Sequence, residues 1–315
     1  MVQRAVQPIT YHGWRGSLKL TNGVVELIVV PALGRIMRYG FPGGPNLIWE
    51  DPALAGQPAN RRTFPRFGGN KAWPWPQDEW PAHIGHDWPP PPAADQAEYT
   101  SSIIGPSAVR LKSPLLVGFG MTIVREIQLS PKGTQVMVTT RLEHISSGGP
   151  AQNLAAWSIT PAAAPETLLV RLTPGSPLPT GYKPLGAFDP FASVTAENRI
   201  LRVVRQPDKS SKIGIDGDVI GAVYGDTLWL LRDQTPKVAG EYQPGERVQV
   251  FASADSREDT ARGLPPYMEL EMTSPRKRLA RDGDSVALTE VWELRKLSGS
   301  MAQRNATAEK IMREL

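Results

Sequence analysis

The segment Phe67-Gly68-Gly69-Asn70-Lys71-Ala72-Trp73-Pro74-Trp75-Pro76-Gln77-Asp78-Glu79-Trp80 gathers three Trp, a Lys, a Gln and two carboxylates around two glycines. Its prolines break it too often for a regular helix or a central strand. Indole faces stack on apolar C–H surfaces, and fixed amide, cationic and acidic groups take hydroxyls, so these residue types suit a polyol such as a sugar. Lys71, Trp73, Gln77 and Trp80 are the candidate contacts. A Trp-rich loop packed over a sheet face has the same composition, and both readings can hold together.

Other residues carry possible chemistry. Glu269 and Glu271 stand two apart in a strand-like run, so they share a face with Tyr267, while Met268, Leu270 and Met272 take the core side. Two carboxylates on one face raise each other's pKa, a feature of acid–base sites; a solvated strand face with two inert Glu is the alternative. Arg35 follows a glycine, and its guanidinium suits hydroxyls, a carboxylate or a surface ion pair. His83, His86 and Asp87 suggest either a divalent metal or a loop-borne general acid. Two imidazoles on a loop fix no geometry, so no metal is assigned. Asp216-Gly217-Asp218 lacks the closing Glu and flanking helices of a calcium loop and reads as a turn.

The composition excludes several classes. With no Cys, thiol catalysis, disulfides and Cys-ligated zinc are absent. Phosphate-binding glycine loops and a Gly-x-Ser-x-Gly elbow are missing, so no nucleotide cofactor or esterase chemistry is read, and no cofactor is expected. The formal charge is +4, with clusters no larger than Arg276-Lys277-Arg278 and the Arg61-Arg62 pair, which argues against nucleic acid. No apolar run reaches membrane-spanning length, and Met1-Val2-Gln3 opens no signal peptide. A periplasmic or secreted origin stays open should a leader have been removed. Oligomeric state is not read from the sequence.

The 29 Gly and 31 Pro imply many turns and a β-rich fold. Strands are expected at 17–21 and 24–30 around an Asn22-Gly23 hairpin turn, at 108–111, 120–129, 134–145 and 152–160, with turns at 130–133 and 146–150. Shorter strands follow at 168–172 and 200–205. Those at 213–215, 219–224 and 227–231 read as a meander turning at Gly225-Asp226, and 245–252, 266–273 and 285–294 complete the set. Residues 50–100, with Trp73, Trp75, Trp80, Trp88 and Pro89-Pro90-Pro91-Pro92, read as a long ordered loop over a sheet. Only 300–315 looks helical, as a C-terminal appendage. The organisation expected is one antiparallel β-sandwich domain over 1–298 with this Trp/Pro-rich insertion, and a helical tail over 299–315.

The order of these pieces resembles the galactose mutarotase-like superfamily, an all-β supersandwich fold, and within it a group of bacterial proteins of unknown function, the DUF4380 family. The resemblance rests on Val29-Val30-Pro31-Ala32-Leu33-Gly34-Arg35-Ile36, Asn46-Leu47-Ile48-Trp49, Gly68-Gly69-Asn70-Lys71-Ala72-Trp73-Pro74 with Pro76-Gln77, and Trp88-Pro89-Pro90. It continues through Tyr267-Met268-Glu269-Leu270-Glu271-Met272-Thr273-Ser274-Pro275 and Glu290-Val291-Trp292-Glu293-Leu294. It implies a saccharide on the concave sheet face and places Arg35 near it. In aldose epimerases of the superfamily a Glu takes the anomeric proton, a His protonates the ring oxygen and a second His helps hold the sugar. This chain departs at both histidines: Phe67-Gly68-Gly69 stands for His-Gly-Gly, and Asn153-Leu154-Ala155-Ala156-Trp157 places Trp157 where the later strand carries His. Trp157 thereby joins the candidate sugar contacts. Three readings remain open: a saccharide-binding protein without catalysis, an aldose epimerase or other carbohydrate-active enzyme using Glu271 as base with a non-standard acid, and an interaction protein whose Trp loop meets another protein.

Overall fold

The computed structural model describes residues 6–60, 64–145, 151–237 and 240–315. Arg61-Arg62, the start at Met1-Val2-Gln3 and the turn expected at 146–150 lie outside the described residues.

Three antiparallel sheets build the molecule. The largest has ten strands, in the order Ser193–Glu197, Ile200–Val204, Thr167–Leu172, Gly217–Tyr224, Thr227–Asp233, Ser285–Lys296, Val136–His144, Met121–Leu129, Ala108–Lys112 and Thr100–Gly105. The second has seven: Tyr182–Pro184, Ser211–Ile215, Val248–Ala252, Tyr267–Thr273, Gln152–Ala163 and Lys277–Leu279, with Lys71–Trp75 paired to Gln152–Ala163. A four-stranded sheet at the N-terminus runs Val6–Tyr11, Trp14–Thr21, Glu26–Val30 and Arg35–Gly40. The two large sheets bury a common core. Ile123, Val138, Leu288 and Trp292 come from one, and Leu270, Met272, Ala156 and Val250 from the other. This all-β sandwich is the expected fold class.

Period-two alternation explains most strands. In Gly217–Tyr224, Ile220 and Ala222 enter the central core while Val219 and Val223 face outward. That outward surface is covered by the helix Met301–Glu314, whose Ala308 and Met312 pack with Leu169, Val219, Val223, Leu228 and Leu230. Ser300 starts the helix with a capping box to Gln303. Met312 Sδ lies over Gly221, where a Cβ would collide with it. The Asn22-Gly23 turn is held by Asn22 Oδ1, which accepts from the amides of Val24 and Val25 at 2.9 and 3.2 Å.

Three local expectations change. The meander over 213–231 is split between sheets: Ser211–Ile215 belongs to the seven-stranded sheet, and only Gly217–Tyr224 and Thr227–Asp233 pair as a hairpin. The chain crosses at Gly217, where a Cβ would strike Val170 and the Arg171 carbonyl. The Thr100–Gly105 strand is exposed along almost its whole length, Ile103 and Ile104 included, so it shows no alternation to read. The stretch 50–100 is not all loop. It holds Lys71–Trp75 and the short helices Trp80–Ile84 and Pro92–Asp95. Pro74 is tolerated because Lys71–Trp75 has a neighbour on one side only.

Candidate functional site

The face of the seven-stranded sheet turned away from the core forms the floor of a cleft of about 840 Å³. Burial of Met268, Leu270 and Met272 sends Tyr267, Glu269 and Glu271 to this floor. Pairing sets their neighbours: Glu271 lies opposite Ile159 and Gln249, Glu269 opposite Pro161 and Phe251, and Trp157 opposite Trp73. Cross-strand partners share a face, so Trp73, Trp157, Glu269 and Phe251 all look the same way.

Two Lys–Glu pairs cross the floor. Lys71 Nζ lies 3.3 Å from Glu269 Oε1 and 4.4 Å from the centroid of the Trp73 ring. Lys212 Nζ donates to Glu271 Oε2 at 3.1 Å and sits 4.8 Å from the Trp157 centroid. Both ammonium groups therefore meet a carboxylate and an indole face, a cation–π arrangement strengthened by burial. Glu271 is fully buried. Trp157 Nε1–H also donates to its Oε2 at 2.9 Å, while Oε1 has no partner among the described residues. Burial pushes its carboxyl up to about 7, partly countered by the Lys212 charge, with Glu269 adding to the rise. Next to it in register, Gln249 is buried with neither side-chain polar atom partnered among the described residues.

Aromatic side chains form the walls. Trp73 meets Trp157 edge-to-face at 5.4 Å and 80°, and Trp75 meets Trp157 at 5.0 Å and 74°. Phe64 and Trp88 continue this wall, their centroids 4.6 Å apart. The Trp73 ring is fixed from behind. Its Nε1–H donates to Asp95 Oδ1 at 2.9 Å, and Asp95 in turn is paired with Arg35 at 2.9 Å. Arg35 is buried and also donates to the Gly68 and Asp95 carbonyls. It borders the cleft with its charge already answered by Asp95, and through that carboxylate it orients the Trp73 indole.

Of the residues singled out from the sequence, Arg35, Lys71, Trp73, Gln77, Trp157 and Glu269 border one cleft. Gln77 stands at the rim, its Nε2 donating to the Asp87 carbonyl at 3.2 Å. Glu271 lies just under the surface, covered by Lys212 and Trp157. Trp80 is fully buried behind Trp73, its centroid 5.6 Å away and its Nε1–H bonded to the Pro74 carbonyl. It supports the wall and has no surface to offer a ligand. Neither His83 nor His86 borders the cleft. His83 packs on Phe119, and burial lowers its pKa. Phe67 is buried in a separate cluster with Trp14 and Met37.

Sequence reasoning missed Lys183, Lys212, Phe188, Phe251 and the Arg276–Glu246 pair, all of which border the cleft. Lys212 alternates with buried Ile213, which places it on an outward face. Only the pairing of Ser211–Ile215 with Val248–Ala252 brings it over Glu271. Nothing in the local sequence carries that information. Among the described residues no group of three or more His, Asp or Glu is arranged to hold a metal ion, and no helix is long and apolar enough to cross a membrane.

No family model and no curated protein matches the chain. Solved structures do match in fold. A galactose mutarotase-like protein from Lactobacillus casei is 12% identical, with 89% of this chain and 100% of that one covered at a TM-score of 0.57. A galactose mutarotase related enzyme from Lactobacillus acidophilus is 8% identical, covering 90% and 98% at 0.56. A protein from Synechocystis sp. PCC 6803 is 11% identical, covering 93% and 98% at 0.58. At these identities the likeness establishes the fold: this is a galactose mutarotase-like β-sandwich.

Proposed function

We propose that this protein binds a saccharide in the cleft over the seven-stranded sheet. The observation that carries the reading is the pairing of indole faces with fixed charges. Trp88, 49% accessible, and the half-buried Phe64 offer apolar ring surface, backed by the nearly buried Trp73 and Trp157, while Lys71–Glu269 and Lys212–Glu271 hold donors and acceptors on the floor beside them. Hydroxyls need such fixed partners, and ring C–H faces need such walls. The fold shared with galactose mutarotase-like proteins supports the same reading. The finer kinship to DUF4380 rests on the sequence blocks alone.

The test is a thermal-shift screen against neutral, amino and uronic-acid saccharides at millimolar concentration. A ligand bound only by the folded state raises stability by about 2.7 kcal/mol at a hundredfold excess over Kd. Trp88→Ala and Lys71→Met should each weaken any hit at least tenfold. A panel without a single shift would sink the reading and move weight to a Trp loop that docks protein.

The buried Glu271 carboxyl, poised near neutrality, favours a second reading as an aldose epimerase. Glu271 would take the anomeric O–H proton as the C1–ring oxygen bond breaks, and a floor lysine, Lys71 or Lys212, would protonate the ring oxygen; reclosure on the other face returns both protons. Lys212 must swing aside for Glu271 to reach the sugar. Glu271→Gln should then abolish anomer interconversion while leaving binding measurable, whereas in the non-catalytic reading no interconversion exists to lose.

A further inference from the structure

Resting on the saccharide reading, we infer that the ligand is an oligosaccharide and that Phe188, Phe251 and Tyr267 form a second stacking platform for a distal sugar unit. The first argument is volume. A hexose has twelve non-hydrogen atoms, and even at about 30 Å³ each, the share of one water in the liquid, it fills no more than roughly 360 Å³. The cleft offers about 840 Å³ as one continuous space. One ring leaves more than half of it unfilled, and the surplus is lined by side chains suited to another ring.

Those side chains form an aromatic run separate from the Trp73 wall. Tyr267 lies 4.8 Å from Trp49 and 6.2 Å from Phe251, and Phe251 lies 5.5 Å from Phe188. Sheet geometry gives the separation of the two platforms. Trp73 and Phe251 stand on strands three neighbours apart, about 14 Å across the sheet. In register, the row of Phe251, Glu269 and Pro161 is four residues along from the row of Trp157 and Trp73, about 13 Å further. No single six-membered ring touches both. The two most exposed aromatic side chains of the cleft mark its opposite lips: Trp88 is 49% accessible on one and Phe188 46% on the other. Large apolar side chains left open on both sides of one groove are what an extended ligand covers.

The Phe188 lip is built to hold still. The Leu185 amide donates to the Lys212 carbonyl at 3.2 Å, and the Asp189 amide to Ser210 at 3.1 Å. The ammonium of Lys183, on the same lip, makes no hydrogen bond or ion pair with any described residue, and its stem rests against Gly245. It is a cation held at the cleft with its donors uncommitted, suited to the hydroxyls or a carboxylate of the distal unit. A fixed platform loses little entropy on binding, so each added ring should strengthen affinity.

The experiment is isothermal titration of the full chain with malto-, cello-, β-1,4-galacto- and α-1,4-galacturono-oligosaccharides of one to four units. For the series that binds, affinity should rise at least tenfold from one unit to three. In Phe188→Ala the ratio of trisaccharide to monosaccharide affinity should fall to within about twofold of unity. Equal affinity at every length in the wild type overturns the inference and leaves the saccharide reading standing. A length-dependent gain that survives Phe188→Ala overturns the assignment of the platform. Absence of binding at every length and in every series refutes the saccharide reading itself, and the inference with it.

Discussion

Replacing Glu271 by Gln should make the protein progressively more stable than the wild type as pH rises from 4.5 to 8. The carboxyl is enclosed by Lys212 and Trp157, and burial moves its pKa from 4.5 to about 7. At about 1.4 kcal/mol for each tenfold in proton affinity, the difference between 4.5 and 7 amounts to about 3 kcal/mol. The sign follows from linkage. A carboxyl whose folded pKa is raised contributes its stability fully below the unfolded pKa and loses it as pH climbs through the folded one. The wild type therefore gives up about 3 kcal/mol between pH 4.5 and just above 7. Gln has the shape of the protonated acid and no proton to lose, so the variant keeps it. Glu290, also buried and pushed up to about 7, contributes the same slope to both proteins and cancels in their difference. Below the folded pKa Lys212 faces an uncharged group in both proteins, and the attraction it gains above that pH in the wild type is already contained in the value near 7. Urea unfolding of both proteins at half-unit pH intervals measures the difference directly. A difference that stays flat within about 1 kcal/mol would refute the placement of a buried carboxyl beneath the floor.

Two further outcomes follow from the same geometry. Trp157→Phe removes the buried Nε1–H donor to Glu271 and should cost about 1–3 kcal/mol in urea unfolding; it should also move the pH window of the wild-type loss upward, and an unchanged window would mean that the indole does not hold the carboxylate. Met312→Ala empties the contact between the C-terminal helix and the outer face of the ten-stranded sheet and should cost about 2–5 kcal/mol; a loss below about 1 kcal/mol would show that the helix adds little to the folded state.

The sequence by itself determined what short-range periodicity can carry. Alternation in Tyr267–Thr273 assigned Met268, Leu270 and Met272 to the core and the two Glu to the other face. Asn22-Gly23 and Gly225-Asp226 marked turns, and 300–315 read as the final helix. Each of these depends on residues within a few positions of one another, where sterics and hydrogen-bond reach decide the outcome. The density of Trp and polar groups at 67–80 likewise pointed to the cleft wall. Only the tertiary structure decided which members of that segment face the cleft. Trp73 lies on the cleft and Trp80 behind it, because pairing with Gln152–Ala163 turns Lys71–Trp75 into an edge strand and leaves Trp80 in the helix beneath. Lys71 meets Glu269 across 198 positions of sequence, and Lys212 meets Glu271 across 59. Strand order and register set those meetings, and both arise from burying whole sheet faces together, a cooperative, long-range condition that no local pattern encodes.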